Sequence, residues 1–267
     1  MSDSDQSYYR FKIDGHLLPG YQYEHISGPP ISVKRGRNSI SLEEYFETDP
    51  PVIQYVDGSF SYNCFLIKVP EFIGEYSRGM IDVWNWGGID IRKESMGKEC
   101  SRNSIQWKVF NEIRDEYEII INDDGPGEAA DLIAVKMKDN KVFLHLFHCK
   151  FSSDDATGAR IKDLYELCGQ AQKSIRWKHS KFESLYTHIK RRDEKWSPHT
   201  RFLKGSMSAL STIKNRSRTT QVVLEVTIVQ PGVSRERISP NMLKIIGTTE
   251  HYLMDTANSP LRVVGSA

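Results

Sequence analysis

The spacing of apolar positions changes character near residue 100. From about residue 8 to 95, short apolar runs such as "PPVIQYV", "NCFLIKV" and "GMIDVWNW" are divided by Gly, Pro, Asn and Asp, which predicts a β-rich region. Within it, "SLEEYF" (Ser41–Phe46) predicts one short helical turn with Ser41 as its cap. After residue 100, Ile105, Val109 and Ile113 recur at every fourth position with Phe110 beside them. That period predicts an amphipathic helix over 103–115, capped by Ser101 or Asn103. "YEIII" then reads as a strand, "NDDGPG" as a turn, "AADLIAVKM" as a second strand, "KDNK" as a turn and "VFLHLFHCKF" as a third strand. A long helix follows from Gly158 to Lys178, its stripe made by Ile161, Leu164, Cys168, Ala171 and Ile175. A basic, helical region runs to about residue 215. The strand "QVVLEVTIVQP" (Gln221–Pro231), the helix "NMLKIIGTTEHYLMDTA" and the strand "LRVVGS" come after it. Two connections between strands pass through helices, so the expected fold is α/β (α+β) with a mixed central sheet flanked by helices. The change of texture divides the chain into a β-rich accessory region, 1–97, and a second domain, 98–267.

The bulk composition is that of an ordinary globular protein: 267 residues, 39% hydrophobic, 27% charged and a net charge of +1. No apolar run is long enough for a membrane span, and the opening "MSDSDQSYYR" lacks the basic and apolar regions of a signal peptide. Cys64, Cys100, Cys149 and Cys168 form no CxxC pair, which points away from a zinc knuckle or a disulfide framework and toward a reducing cytoplasm. The small net charge conceals an asymmetry. Residues 150–218 carry 16 Lys/Arg against 7 Asp/Glu, whereas the first 149 residues carry 16 against 24. Trp177, Phe182, Tyr186, Trp196 and Phe202 are interleaved with the basic residues. Cations among aromatics suit a phosphate backbone, so Arg176, Lys178, Lys190, Arg191 and Arg192 are the expected contacts to DNA, with RNA not excluded. A solvated helical face is the alternative reading.

The hairpin from Gly127 to Ser153 concentrates the chemistry. Alternation along the strand puts His148 and Lys150 on one face, and pairing about the Lys138–Lys141 turn sets Asp131 opposite them. A buried Asp and a buried Lys are costly unless paired or bound to a metal. Carboxylates that hold a hard divalent cation, with a lysine beside it, suit phosphodiester hydrolysis. Other chemistries find less support. There is no GxSxG, HExxH or GxxxxGK[ST] motif, and "GGID" at Gly87 lacks a dinucleotide fingerprint. Cys149 and His148, adjacent on a strand, face opposite sides and do not meet as a nucleophile–base pair.

The order helix–strand–strand–strand–helix–strand, with Asp131 on one strand and His148-Cys149-Lys150 on the next, resembles the PD-(D/E)XK nuclease superfamily over about residues 101–232. The resemblance implies a restriction-endonuclease-like fold and a metal-dependent nuclease, with Asp131 at the first acidic position and Lys150 as the motif lysine. His148 stands where the superfamily has its second acid, so Asp131 and His148, with the Cys149 carbonyl, are expected to hold Mg2+ or Mn2+. Imidazole favours manganese. Glu128 is expected to supply the missing carboxylate. RecB-type members carry a glutamine on the following helix. Gln172 borders its apolar stripe, and Gln170 stays open because Gly169 permits close approach. Gln106 on the first helix also borders its stripe. The wording around "HCK" and "CGQAQKS" is similar to nuclease-like segments at the C-termini of bacterial helicase-type proteins of phage defence. That similarity implies a helicase or ATPase partner on another chain. A degenerate binding module and an interaction subunit are the competing functions.

Overall fold

The computed structural model describes residues 6–13, 21–36, 38–48, 51–55, 60–62, 65–67, 74–152 and 161–267. Cys64 and the expected helix start at Gly158 lie outside the described residues. The chain divides into two compact units, Met1–Phe72 and Ile73–Ala267.

The first unit is built from short pairings. β1 (Tyr8–Ile13) pairs antiparallel with β2 (Tyr21–Ser27), and β3 (Ser32–Arg35) with β4 (Asn38–Ser41). α1 (Leu42–Thr48) follows, and the Ser41 hydroxyl accepts the Glu44 amide at 3.1 Å, the cap expected there. β5 (Ile53–Gln54), β6 (Phe60–Tyr62) and β7 (Phe65–Ile67) form a three-stranded sheet.

The second unit is built on a seven-stranded mixed sheet. Its strands are β8 (Ile81–Val83), β9 (Ile119–Asn122), β10 (Leu132–Lys138), β11 (Lys141–Cys149), β12 (Phe202–Lys204), β13 (Gln221–Ser234) and β14 (Leu261–Ser266). The spatial order is β12-β9-β10-β11-β13-β14-β8. From β12 to β11 neighbours run antiparallel; from β11 to β8 they run parallel. β10 and β11 join through Asp139 and Asn140, both at positive φ (49° and 55°), the two-residue turn whose twist suits a hairpin. That turn fixes the register Leu132↔Phe147.

Alternation along these strands feeds two cores. Ile120, Leu132, Ala134, Phe147 and Cys149 meet α2 (Ile105–Ile113) on one face. Ile121, Ile133, Val135 and Leu146 meet the other helices: α3 (Ile161–Lys173), α4 (Ile175–His179), α5 (Phe182–Glu194), α6 (Met207–Arg216) and α7 (Pro240–Ala257). Each fully buried Ile or Leu contributes roughly 1.5–3 kcal/mol relative to exposure.

The compact units divide at Phe72/Ile73, and β8, from within residues 1–97, belongs to the large sheet. Three expectations are corrected. α2 is capped by Ser104, whose hydroxyl accepts the Trp107 amide at 3.2 Å, not by Ser101 or Asn103. The long helix breaks at Ser174 into α3 and α4, where the Ser174 side chain turns to His148. The basic region is interrupted by β12, an edge strand on β9. No helix among the described residues is long and apolar enough to cross a membrane.

Candidate metal centre and its surroundings

The loop from β9 to β10 carries most of the charge near the sheet end. Asp123 is fully buried, and its carboxylate accepts Arg192 Nε at 2.5 Å, His188 Nε2 at 2.9 Å and the Ala129 amide at 2.8 Å. Arg192 also donates to the carbonyls of Pro126 at 2.7 Å and Asp124 at 3.2 Å. Arg201 donates to the carbonyls of Asn122 at 2.9 Å and Asp124 at 3.2 Å. Two arginines thus hold the loop from outside. Gly125 and Gly127 sit at positive φ, 109° and 82°, which lets the loop double back within a few residues.

Asp131 ends the loop under different conditions. It is 2% exposed, and its two oxygens accept Gln106 Nε2 and the Cys149 amide, each at 2.8 Å. Both donors are neutral. Carboxylate oxygens of Asp124, Glu128 and Asp131 all lie within 4.8 Å of one another. Burial, then the charge of Glu128, pushes the Asp131 carboxyl well above its ordinary pKa, against the opposing pull of the Cys149 N–H. Burial likewise raises Glu128 and Glu94. Glu128 accepts the Gly125 amide at 2.7 Å, Asp124 accepts the Ser95 hydroxyl, and Glu94 accepts the Phe151 amide at 3.0 Å.

Lys150 follows Cys149, whose amide serves Asp131. Its ammonium donates to Glu166 at 2.9 Å and lies 3.9 Å from Glu94. Partial burial works against the ammonium, but the hydrogen bond to Glu166 and the charge of Glu94 outweigh it, and its pKa is raised.

His148 departs from the expected ligand set. Its Nε2 pairs with Ser174 Oγ at 2.8 Å, while Nδ1 is buried without a partner among the described residues. Burial, then Lys173, lowers its pKa to about 3, so the ring is neutral. The carboxylate group does not include it. The Cys149 thiol is buried in the α2-side core, and its amide N–H serves Asp131. Gln172, favoured on the stripe argument, donates to Thr249 of α7 at 3.2 Å. Gln170 instead lines a cleft with His148, and its Oε1 is buried without a partner.

Comparison with protein-family models, with curated proteins and with solved structures finds no match for this chain. Three oxygen-donor side chains with no ion pair to a protein cation among the described residues fit a hard divalent ion, and an all-oxygen set suits magnesium as well as manganese.

Of the five expected phosphate contacts, Arg192 is corrected to a loop-holding role, since its guanidinium is filled by Asp123 and loop carbonyls. Lys178 donates to the Val222 carbonyl at 2.9 Å. Lys190 is exposed, 3.9 Å from Glu194. Arg176 lies over the Trp177 ring, and with Arg191 it lines a second cleft beside Glu128. Asp124 and Glu94 were not singled out from the sequence. Asp124 falls inside a stretch that reads as a turn, and Glu94 lies on a separate loop.

Proposed function

We propose that the protein is a metal-dependent nuclease that hydrolyses DNA phosphodiester bonds. The observation that carries this is the buried Asp131, set among the carboxylates of Glu128 and Asp124 and served, among the described residues, only by neutral donors, with Lys150 next in sequence to Cys149, whose amide Asp131 accepts. The strand and helix order that resembles the PD-(D/E)XK superfamily supports the same reading, and helicase-linked anti-phage defence is the setting we propose for it.

Asp131, Glu128 and Asp124 would hold Mg2+ or Mn2+. When bound, such an ion lowers the pKa of a water and offsets charge on the phosphate. Gln106 and the Cys149 amide fix the Asp131 carboxylate so that both its oxygens keep one orientation. Glu94 and Glu166 hold Lys150, whose ammonium would meet a phosphate oxygen and offset developing negative charge. The test is incubation of purified protein with supercoiled and linear DNA in Mg2+, Mn2+ or EDTA. Cutting that needs the ion is expected, and intact DNA in both ions overturns the proposal.

One observation favours a second reading. His148, at the superfamily's second acidic position, is turned to Ser174 rather than to the carboxylates. A nucleic-acid-binding module without catalysis would give salt-sensitive binding and no cutting in the same assay.

A further inference from the structure

Two clefts open beside Glu128, and they share the Gly127–Ala129 wall and Lys173. The larger has a volume of about 740 Å³ and carries Lys173, Arg176 and Arg191, with the Tyr252 ring on its rim. None of these three cations has a carboxylate partner among the described residues. Tyr252 is 40% exposed. Glu128 is the one carboxylate among the described lining residues of this cleft. The smaller cleft, about 340 Å³, presents the two unpartnered polar atoms His148 Nδ1 and Gln170 Oε1. His148 is 98% buried, by its 2% exposure, so its free nitrogen is a built feature of the wall and not a solvated surface atom.

Cavities of roughly 300–1,000 Å³ take ligands of one or a few nucleotide units. A duplex, whose major groove alone is about 12 Å wide, needs a far broader surface. A cationic groove with an exposed ring is the arrangement that tracks a single strand: the phosphates follow the cations and a base stacks on the ring. We infer that the substrate is single-stranded DNA, or the frayed end of a duplex, lying along Lys173, Arg176 and Arg191 with a base on Tyr252. The nucleotide beyond Glu128 occupies the smaller cleft against His148 and Gln170. This rests on the nuclease reading only for which strand is cut; the binding itself needs neither metal nor turnover.

The test is fluorescence anisotropy in EDTA with a labelled oligo(dT) of about twelve nucleotides, a duplex of the same length and oligo(U). The oligo(dT) should bind about tenfold more tightly than the duplex. Tyr252→Ala should weaken it roughly tenfold while Tyr252→Phe, which keeps the ring, restores it. Changing Lys173 and Arg176 together to Gln should reduce the salt slope by about 1.4, roughly 0.7 for each charge. Equal or tighter duplex binding, tighter binding of oligo(U), or a Tyr252→Ala protein with wild-type affinity each overturns the inference. Tight oligo(dT) binding without cutting in Mg2+ or Mn2+ removes the nuclease reading and leaves this one standing. Duplex cutting without oligo(dT) binding does the reverse.

Discussion

Asp123 and Asp131 bracket the same loop and are equally hidden, at 0% and 2% exposure, yet they are neutralised in opposite ways. Asp123 is matched by Arg192 and His188. Among the described residues Asp131 is given only an amide side chain and a backbone N–H, while further carboxylates crowd it. A buried carboxylate with a protein cation is a fastener. A buried carboxylate left with surplus negative charge stores a demand for a positive ion that the chain itself does not supply. On the function proposed above, the first is scaffold and the second is site.

The largest effect should come from breaking the fastener. Asp123→Ala leaves Arg192 uncompensated and should cost about 3–5 kcal/mol in urea unfolding. A loss under about 1 kcal/mol would erase the contrast. Asp131→Asn should behave differently. It should lower the cutting rate about 100-fold or more, roughly 3 kcal/mol, while stability in EDTA stays equal to wild type or rises. Lys150→Ala should give a rate loss of the same order and leave folding intact, and a variant that cuts as fast as wild type would remove Lys150 from the chemistry. A smaller effect should follow from the ion alone. Mn2+ at a hundredfold excess over its Kd should stabilise wild type by about 2.7 kcal/mol and should do little for Asp131→Asn.

The smallest effect concerns pH. Asp131, Glu128 and Glu94 all have raised pKa values in the folded state. Above about pH 4, where the unfolded carboxyls lose their protons, the folded protein therefore keeps more protons than the unfolded chain. Stability in EDTA should fall as pH rises through that window, by at most about 1.4 kcal/mol per pH unit for each retained proton. Asp131→Asn should flatten this slope in a thermal-melt series. A wild-type slope that rises instead would show that the cluster is already neutralised.

Regular elements were legible where one period runs long. β13 and β14 are nearly continuous apolar runs, and α2 and α7 keep their stripes over several turns. β8 and β12 are three residues each at the two sheet edges, too short for a period to register. At the site, the register of the hairpin that ends beside Asp131 followed from the turn between Lys138 and Lys141. The orientation of His148 did not. Strand alternation gives the side of the sheet but not the hydroxyl, Ser174 of another element, that takes the ring. Arg192 shows the matching limit for charge. A run of cations looks the same in sequence whether it faces water or carries a buried loop, and only the partners distinguish the two.

The position of β8 sets a timetable for synthesis. β8 occupies a sheet edge and pairs there with β14, which starts at Leu261. β9, β10 and β11 close against one another within a short stretch of chain, so they can assemble as soon as they emerge. β8 has to wait for about 178 more residues, roughly 10–35 s at ordinary rates of translation. During that interval the Trp84 amide and the Trp86 indole both lack the Gly265 carbonyl that accepts them in the finished sheet, at 3.1 and 3.0 Å. A ribosome stalled before Leu261 would therefore hold out β8, and the two tryptophans that follow it, without the strand that receives them.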